Sequence, residues 1–207
     1  MDCMRLARDE RRDFAALLAT LSPEDWDAPT LCDGWRVRDV VAHVISYEGL
    51  DTRSLVMRLA KGRFLLGRVN AVGVAEMRER RPDELLARLN SHLEPRGLTA
   101  GFGGRVALLD ALIHHQDIRR PLGKPREIPA DRLRLALDFA RFAPPIGAFW
   151  RARGLRLTAT DLGWTAGKGP AVAGPGEALL MAIAGRRGVV HELSGPGQPT
   201  LAARVGS

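Results

Sequence analysis

Three side chains in two separate stretches of this sequence have the types and the spacing to grip a metal ion. Asp110 and His114, in DALIHHQD, stand four residues apart, so on a helix they share one face, one turn from each other. His43, in GWRVRDVVAHV, lies among valines spaced for a second helix and offers a third donor. Two imidazoles and a carboxylate leave one position open on a tetrahedral ion, the arrangement of a catalytic rather than a structural site. His115 competes for the same role, but a helix turns it about 100° away from His114, and the four-residue step from Asp110 selects His114. Two further carboxylates are placed to hold the ring nitrogen that a ligand does not spend on the ion: Asp39, one turn before His43, and Asp117, three residues after His114.

A single histidine on an apolar helix is more simply a hydrogen-bonded core residue. The combination argues otherwise. His43 sits among Val41, Val44 and Ile45, and Asp110 among Leu108, Leu109 and Leu112, so two polar sites on different apolar faces both need partners. A shared cation satisfies both at once.

The elements that must position these groups are mostly helical. Leu6, Phe14, Leu17, Leu18 and Leu21 recur at helical spacing, and Ser22, Pro23 and Asp25 read as a cap and first turn. Cys32-Asp33-Gly34 breaks the chain before Trp35, and Val37 to Ile45 follow as a helix carrying His43. A basic amphipathic stretch runs from Leu50 to Leu66, another helix opens at Pro82, and Gly97 to Gly104 is a glycine-rich connection. The segment from Arg105 to Ile118 is the helix of Asp110 and His114, and Pro129 opens one more. After Trp150 the texture changes. Leu155 to Thr160 alternates as a strand, glycines and prolines crowd from Gly163 to Gly176, Glu177 to Ala184 is a short apolar helix, and Thr200 to Val205 reads as a last strand. The expected division is a helical domain over 1–150 and a small α+β domain over 151–207.

Composition removes other classes. The chain has 207 residues and a formal charge of +7, but its arginines are mixed with acids, as in RDERRD and EMRERRPDE. Its aromatics are one Tyr, six Phe and four Trp, thin for stacking on bases. No nucleic-acid partner is expected. The charged opening and the lack of a membrane-length apolar run predict no targeting segment, no membrane partner and a cytoplasmic location. Two cysteines, Cys3 and Cys32, provide no disulfide framework. Cys32 has no histidine nearby in sequence and is not read as a nucleophile. Arg119 and Arg120 read as charge at a helix C-terminus in preference to a substrate clamp. GWTAGKG, from Gly163 to Gly169, resembles a phosphate loop but has the wrong glycine spacing and no Ser or Thr after Lys168.

Three ordered segments, TLCDGWRVRDVVAHV, DALIHHQDIRRPLG and GLRLTATDLGWTAGKGPAVAGPGEALLMAIAGR, resemble the mycothiol-dependent maleylpyruvate isomerase-like proteins of the DinB-like superfamily, across nearly the whole chain. The resemblance implies a mainly α fold, a DinB-like four-helix bundle followed by a small C-terminal α+β domain. It also implies a divalent metal, usually zinc, held by His43, Asp110 and His114. Asp110 departs from the family's usual Glu by one methylene. Nickel, iron and manganese also suit such ligands. The implied activity is a metal- and thiol-dependent isomerase or transferase, with mycothiol as thiol cosubstrate and a small electrophile as substrate. The alternatives are a metal-dependent hydrolase of the same fold, or a binding or regulatory protein that kept the bundle without the chemistry. The oligomeric state, the substrate and any side chain that contacts it stay open.

Overall fold

The computed structural model describes residues 2–206. Internal contacts separate two compact units, Met1–Pro125 and Arg126–Ser207.

In the first unit, α1 (Cys3–Leu18), α3 (Val37–Ser46), α6 (Pro82–Ser91) and α7 (Arg105–Arg119) close into a ring of four. α1 packs on α7, α7 on α3, α3 on α6 and α6 back on α1. This is the four-helix bundle expected from the resemblance. Its core is the set of residues that recurred at helical spacing: Phe14, Leu18, Val37, Val41, Ile45, Leu85, Leu89 and Ile118 are all buried. A short helix, α2 (Pro23–Asp27), starts where Ser22 accepts the Asp25 backbone N–H and Asp25 returns the bond to Ser22. At the other end of the unit Gly104, with φ of 91°, opens α7 against the first turn of α1, where a Cβ would stand 2.7 Å from Met4 Sδ. Only glycine allows both that backbone and that approach.

The basic stretch expected from Leu50 to Leu66 is one helix and the turn after it, and a further helix that was not expected starts at its end. α4 (Thr52–Lys61) and α5 (Leu66–Ala75) are joined by a turn in which Arg63 and Phe64 both have left-handed backbone, and α5 packs on α3.

The second unit begins earlier than expected, at Arg126 and not after Trp150. The helix opened by Pro129, α8 (Ala130–Ala140), packs on α10 (Gly176–Ile183), whose residues from Ala178 to Ile183 are all buried. Between them lie α9 (Ala148–Ala152) and a three-stranded sheet of order β2-β1-β3, formed by β1 (Arg156–Ala159), β2 (Trp164–Gly167) and β3 (Ala171–Gly174). β1 pairs antiparallel with β2, Arg156 opposite Gly167, and parallel with β3, Arg156 opposite Ala171. GWTAGKG is therefore strand β2 and the crossing from one edge of the sheet to the other. Gly169 (φ 122°) passes so close to the Gly154 carbonyl that no Cβ fits, which accounts for the glycines without a phosphate.

Thr200 to Val205 is helical, in α11 (Gln198–Val205), and not a strand. Pro199 suits a first helical turn, Leu201 and Val205 are buried one turn apart, and Gly206 (φ 82°) stops the helix. The six-residue stretch was too short for its alternation to be told from a helical repeat.

Candidate metal centre

His43 and Asp110–His114 come together because α3 and α7 are neighbours in the ring. Val40, Val41, Val44 and Ile45 fix α3 in the core, and Leu108, Ala111 and Leu112 fix α7, so rotation of either helix would expose apolar surface. His43 Nε2 lies 3.5 Å from Asp110 Oδ1, and His114 Nε2 lies 3.5 Å from the same oxygen. One donor atom from each residue falls within 4.8 Å of the others. Ligands bonded at 2.0–2.1 Å to a tetrahedral ion are separated by about 3.3 Å, so the spacing matches a coordination sphere. Asp110 is the open member: its side chain is 31% exposed, against 8% for His43 and 11% for His114.

The electrostatics are those of a closely coupled pair. Burial pushes the Asp110 carboxyl up, but the charges and hydrogen bonds of His114 and His43 outweigh it and hold the group well below the usual carboxylate range. Burial works against a charged His114 as well. Asp110, then Asp117 and Cys32, overcome it and raise His114 well above an ordinary imidazole.

Asp117, fully buried, accepts a hydrogen bond from His114 Nδ1 at 2.9 Å. This orients the ring with Nε2 toward Asp110 and His43. Asp39 does not do the same for His43. It sits in the first turn of α3, where its Oδ2 accepts the Arg36 backbone N–H at 2.9 Å and Arg36 Nε at 3.3 Å. The orphan donors of a helix start compete for any acid at this position. His43 Nδ1 is buried with no hydrogen-bond partner among the described residues. His43 is instead held by rings, Trp35 at 5.2 Å, Tyr47 at 6.1 Å and His114 at 4.8 Å between centroids.

Cys32 has a histidine beside it after all. Its thiol donates to Asp117 Oδ2 at 3.1 Å and lies 3.7 Å from His114 Nδ1, while the Leu31 N–H bonds the Asp117 carbonyl at 3.1 Å and ties this turn to α7. Sequence distance hid the contact. Cys32, His114 and Asp117 thus form a second compact donor set, but it meets His114 on the nitrogen already bonded to Asp117. For the same reason the three are not a nucleophilic triad, which needs thiol and carboxylate on opposite ring nitrogens.

His115 points the other way. Fully buried, it bonds Glu10 through Nδ1 at 2.9 Å, accepts from Arg119 Nε at 2.8 Å on Nε2, and lies 5.0 Å from the Phe14 ring. Arg119 also bonds the Lys124 carbonyl, a structural role in line with its place at the helix end. Sequence spacing did not find Tyr47, one turn after His43. Its hydroxyl donates to Asn70 Oδ1 at 2.6 Å, and the Arg58 guanidinium lies 5.3 Å from its ring. Burial pushes the Tyr47 hydroxyl up, Arg58 opposes this, and Asp110 adds to it.

A helical bundle with a two-histidine, one-carboxylate cluster between neighbouring helices is thus the class that fold and site define. Residues 7–96 match the family model of the Mycothiol maleylpyruvate isomerase N-terminal domain, a segment that includes Cys32 and His43 and ends before Asp110. Over this segment, which is under half of the chain, the sequence is similar to that domain. Two solved structures, of the mycothiol-dependent maleylpyruvate isomerase and of a histidine-to-alanine variant, resemble the chain with a TM-score of 0.59. Each is 16% identical to it, and the alignment covers 95% of this chain and 92% of the other. The likeness extends over both units and carries the fold. No curated protein matches the chain.

Proposed function

We propose that this protein is a metal- and thiol-dependent isomerase or transferase of the cytoplasm, with His43, Asp110 and His114 as metal ligands and mycothiol as its thiol. The observation that carries this reading is the convergence of two imidazole Nε2 atoms on one Asp110 oxygen, each at 3.5 Å. The shorter acid, Asp in place of Glu, still reaches both. The donor set fits a divalent ion, zinc first among the candidates. When bound, such an ion supplies the positive charge that keeps a thiol deprotonated at neutral pH.

The remaining tasks fall to the chain itself. Asp117 holds His114 in the tautomer that leaves Nε2 free to bind, and the Cys32 thiol, bonded to the same Asp117 oxygen, helps fix that carboxylate. Trp35 and Tyr47 wall the His43 side with aromatic surface, which excludes water from a reacting thiolate. The approach lies on the Asp110 side, the exposed side of the cluster. No side-chain nucleophile is required, because the thiol attacks the electrophile. Release after bond rotation is isomerisation, and retention is transfer.

Cobalt-substituted protein tests this directly. Addition of mycothiol should produce the charge-transfer absorption of sulfur on cobalt. A spectrum unchanged by the thiol would remove the thiol-dependent reading and leave hydrolysis by metal-activated water or a non-catalytic binding role.

A further inference from the structure

The α4–α5 hairpin carries a pattern of charge and exposure that the metal centre does not use. From Thr52 to Ala75 the sequence holds five cations, Arg53, Arg58, Lys61, Arg63 and Arg68, and no Asp or Glu. Arg58 is buried and bonded to Ser46 and Glu76. The other four are exposed, and none pairs with a carboxylate among the described residues.

Apolar side chains share this surface. Val56 and Met57 on α4, and Phe64, Leu65 and Leu66 at the turn, are exposed. Arg53, Met57 and Lys61 follow at four-residue steps along one line of α4. At the tip, Arg63 and Phe64 have φ of 52° and 58°, a left-handed backbone that bulky residues avoid. Its consequence is that Phe64 projects outward, 75% exposed, where a core-seeking turn would bury it. A large exposed apolar group held by an unfavourable backbone marks a contact surface.

Charge decides what it contacts. A second copy of the chain is disfavoured, because a twofold interface would set this cationic face against itself. Nucleic acid would leave the aliphatic side chains without partners and offers only Phe64 a base to stack on. An anionic bilayer surface accepts both components, cations at the headgroup phosphates and apolar side chains at the acyl boundary. We propose that the α4–α5 hairpin docks on anionic lipid, with Phe64, Leu65 and Leu66 entering the headgroup region and Arg53, Lys61, Arg63 and Arg68 on the phosphates. No helix among the described residues is long and apolar enough to cross a membrane, so the contact is peripheral. The expectation of no membrane partner rested on the lack of a span, which does not bear on a peripheral contact.

The test is co-sedimentation of the intact protein with vesicles. Phosphatidylcholine containing roughly one third phosphatidylglycerol should carry the protein down, phosphatidylcholine alone should not, and raised salt should release it. Lys61→Glu and Arg63→Glu should each weaken binding about fivefold or more, and Phe64→Ser about tenfold. Circular dichroism should stay unchanged, because these side chains are exposed. Absence of binding to the anionic vesicles, or equal binding by the three variants, overturns the proposal. So does a concentration-dependent dimer abolished by Phe64→Ser, or binding of a single-stranded oligonucleotide, if either occurs in place of vesicle binding.

Discussion

His114 and His115 are adjacent in the sequence and opposite in fate. One faces α3 and shares a carboxylate with His43; the other faces α1 and is locked between Glu10, Arg119 and Phe14. Both are buried and both are bonded to acids. The difference lies in what the ring nitrogens are left to do. Both nitrogens of His115 are spent on protein partners, whereas His114 spends Nδ1 on Asp117 and presents Nε2 to a converging donor set. Burial and an acidic neighbour therefore do not identify a metal ligand. A metal ligand also needs a second, uncommitted nitrogen aimed at other donors.

The sharpest way to break this comparison is to remove each ring in turn. His114→Ala should weaken divalent-metal binding by more than about a hundredfold and leave the fold largely intact. His115→Ala should keep the metal and cost about 3 kcal/mol of stability, because it takes a buried partner from Glu10. Calorimetric metal titration and denaturant melts separate the two effects. If both variants lose metal equally, the distinction between the faces of α7 fails.

Asp117→Asn probes the orientation of His114. The isosteric amide keeps the shape but loses the carboxylate that fixes the tautomer, and metal affinity should fall about tenfold to a hundredfold. An unchanged affinity would show that Asp117 serves the fold alone.

The dependence on pH should also distinguish the metal-free and loaded states. His114 has a raised pKa, so its contribution to the stability of metal-free protein is complete below its unfolded value, about 6.5. That contribution is lost as pH rises through the folded value. Asp110 has a lowered pKa, so its share is complete above about pH 4 and is lost as pH falls through the folded value. The melting temperature in chelator should therefore gain most from this pair between about pH 4 and 6.5. A metal competes with the proton on His114, so the added stability from zinc should grow as pH rises. A zinc-induced shift independent of pH would place the ion elsewhere.

The smallest expected effect concerns Asp39. Its carboxylate caps α3, and Asp39→Ala should cost about 1 kcal/mol with no change in metal affinity. Altered affinity would restore the role in holding His43 that its spacing suggested.

Much of this was legible from period alone. Helical spacing identified α3 and α7, and the four-residue step between Asp110 and His114 placed both on one face. What spacing could not supply was competition for the same groups. Asp39 and Asp117 look alike as acids near a histidine, but Asp39 falls where a helix start has unpaired N–H groups. Cys32 was dismissed for want of a neighbour along the chain, and the neighbour came from a helix packed across the bundle. The strand misread at Thr200–Val205 has a different cause, because a six-residue segment carries too few residues to fix its period.

In the proposed site one divalent ion is held by His43, Asp110 and His114. Metal analysis of protein purified without a histidine tag tests it most directly. About one equivalent of metal per chain is expected, lost in His43→Ala and His114→Ala and retained in His115→Ala. Metal-free protein that takes up no zinc on titration, or full retention of metal by the His43→Ala, His114→Ala double variant, would contradict it.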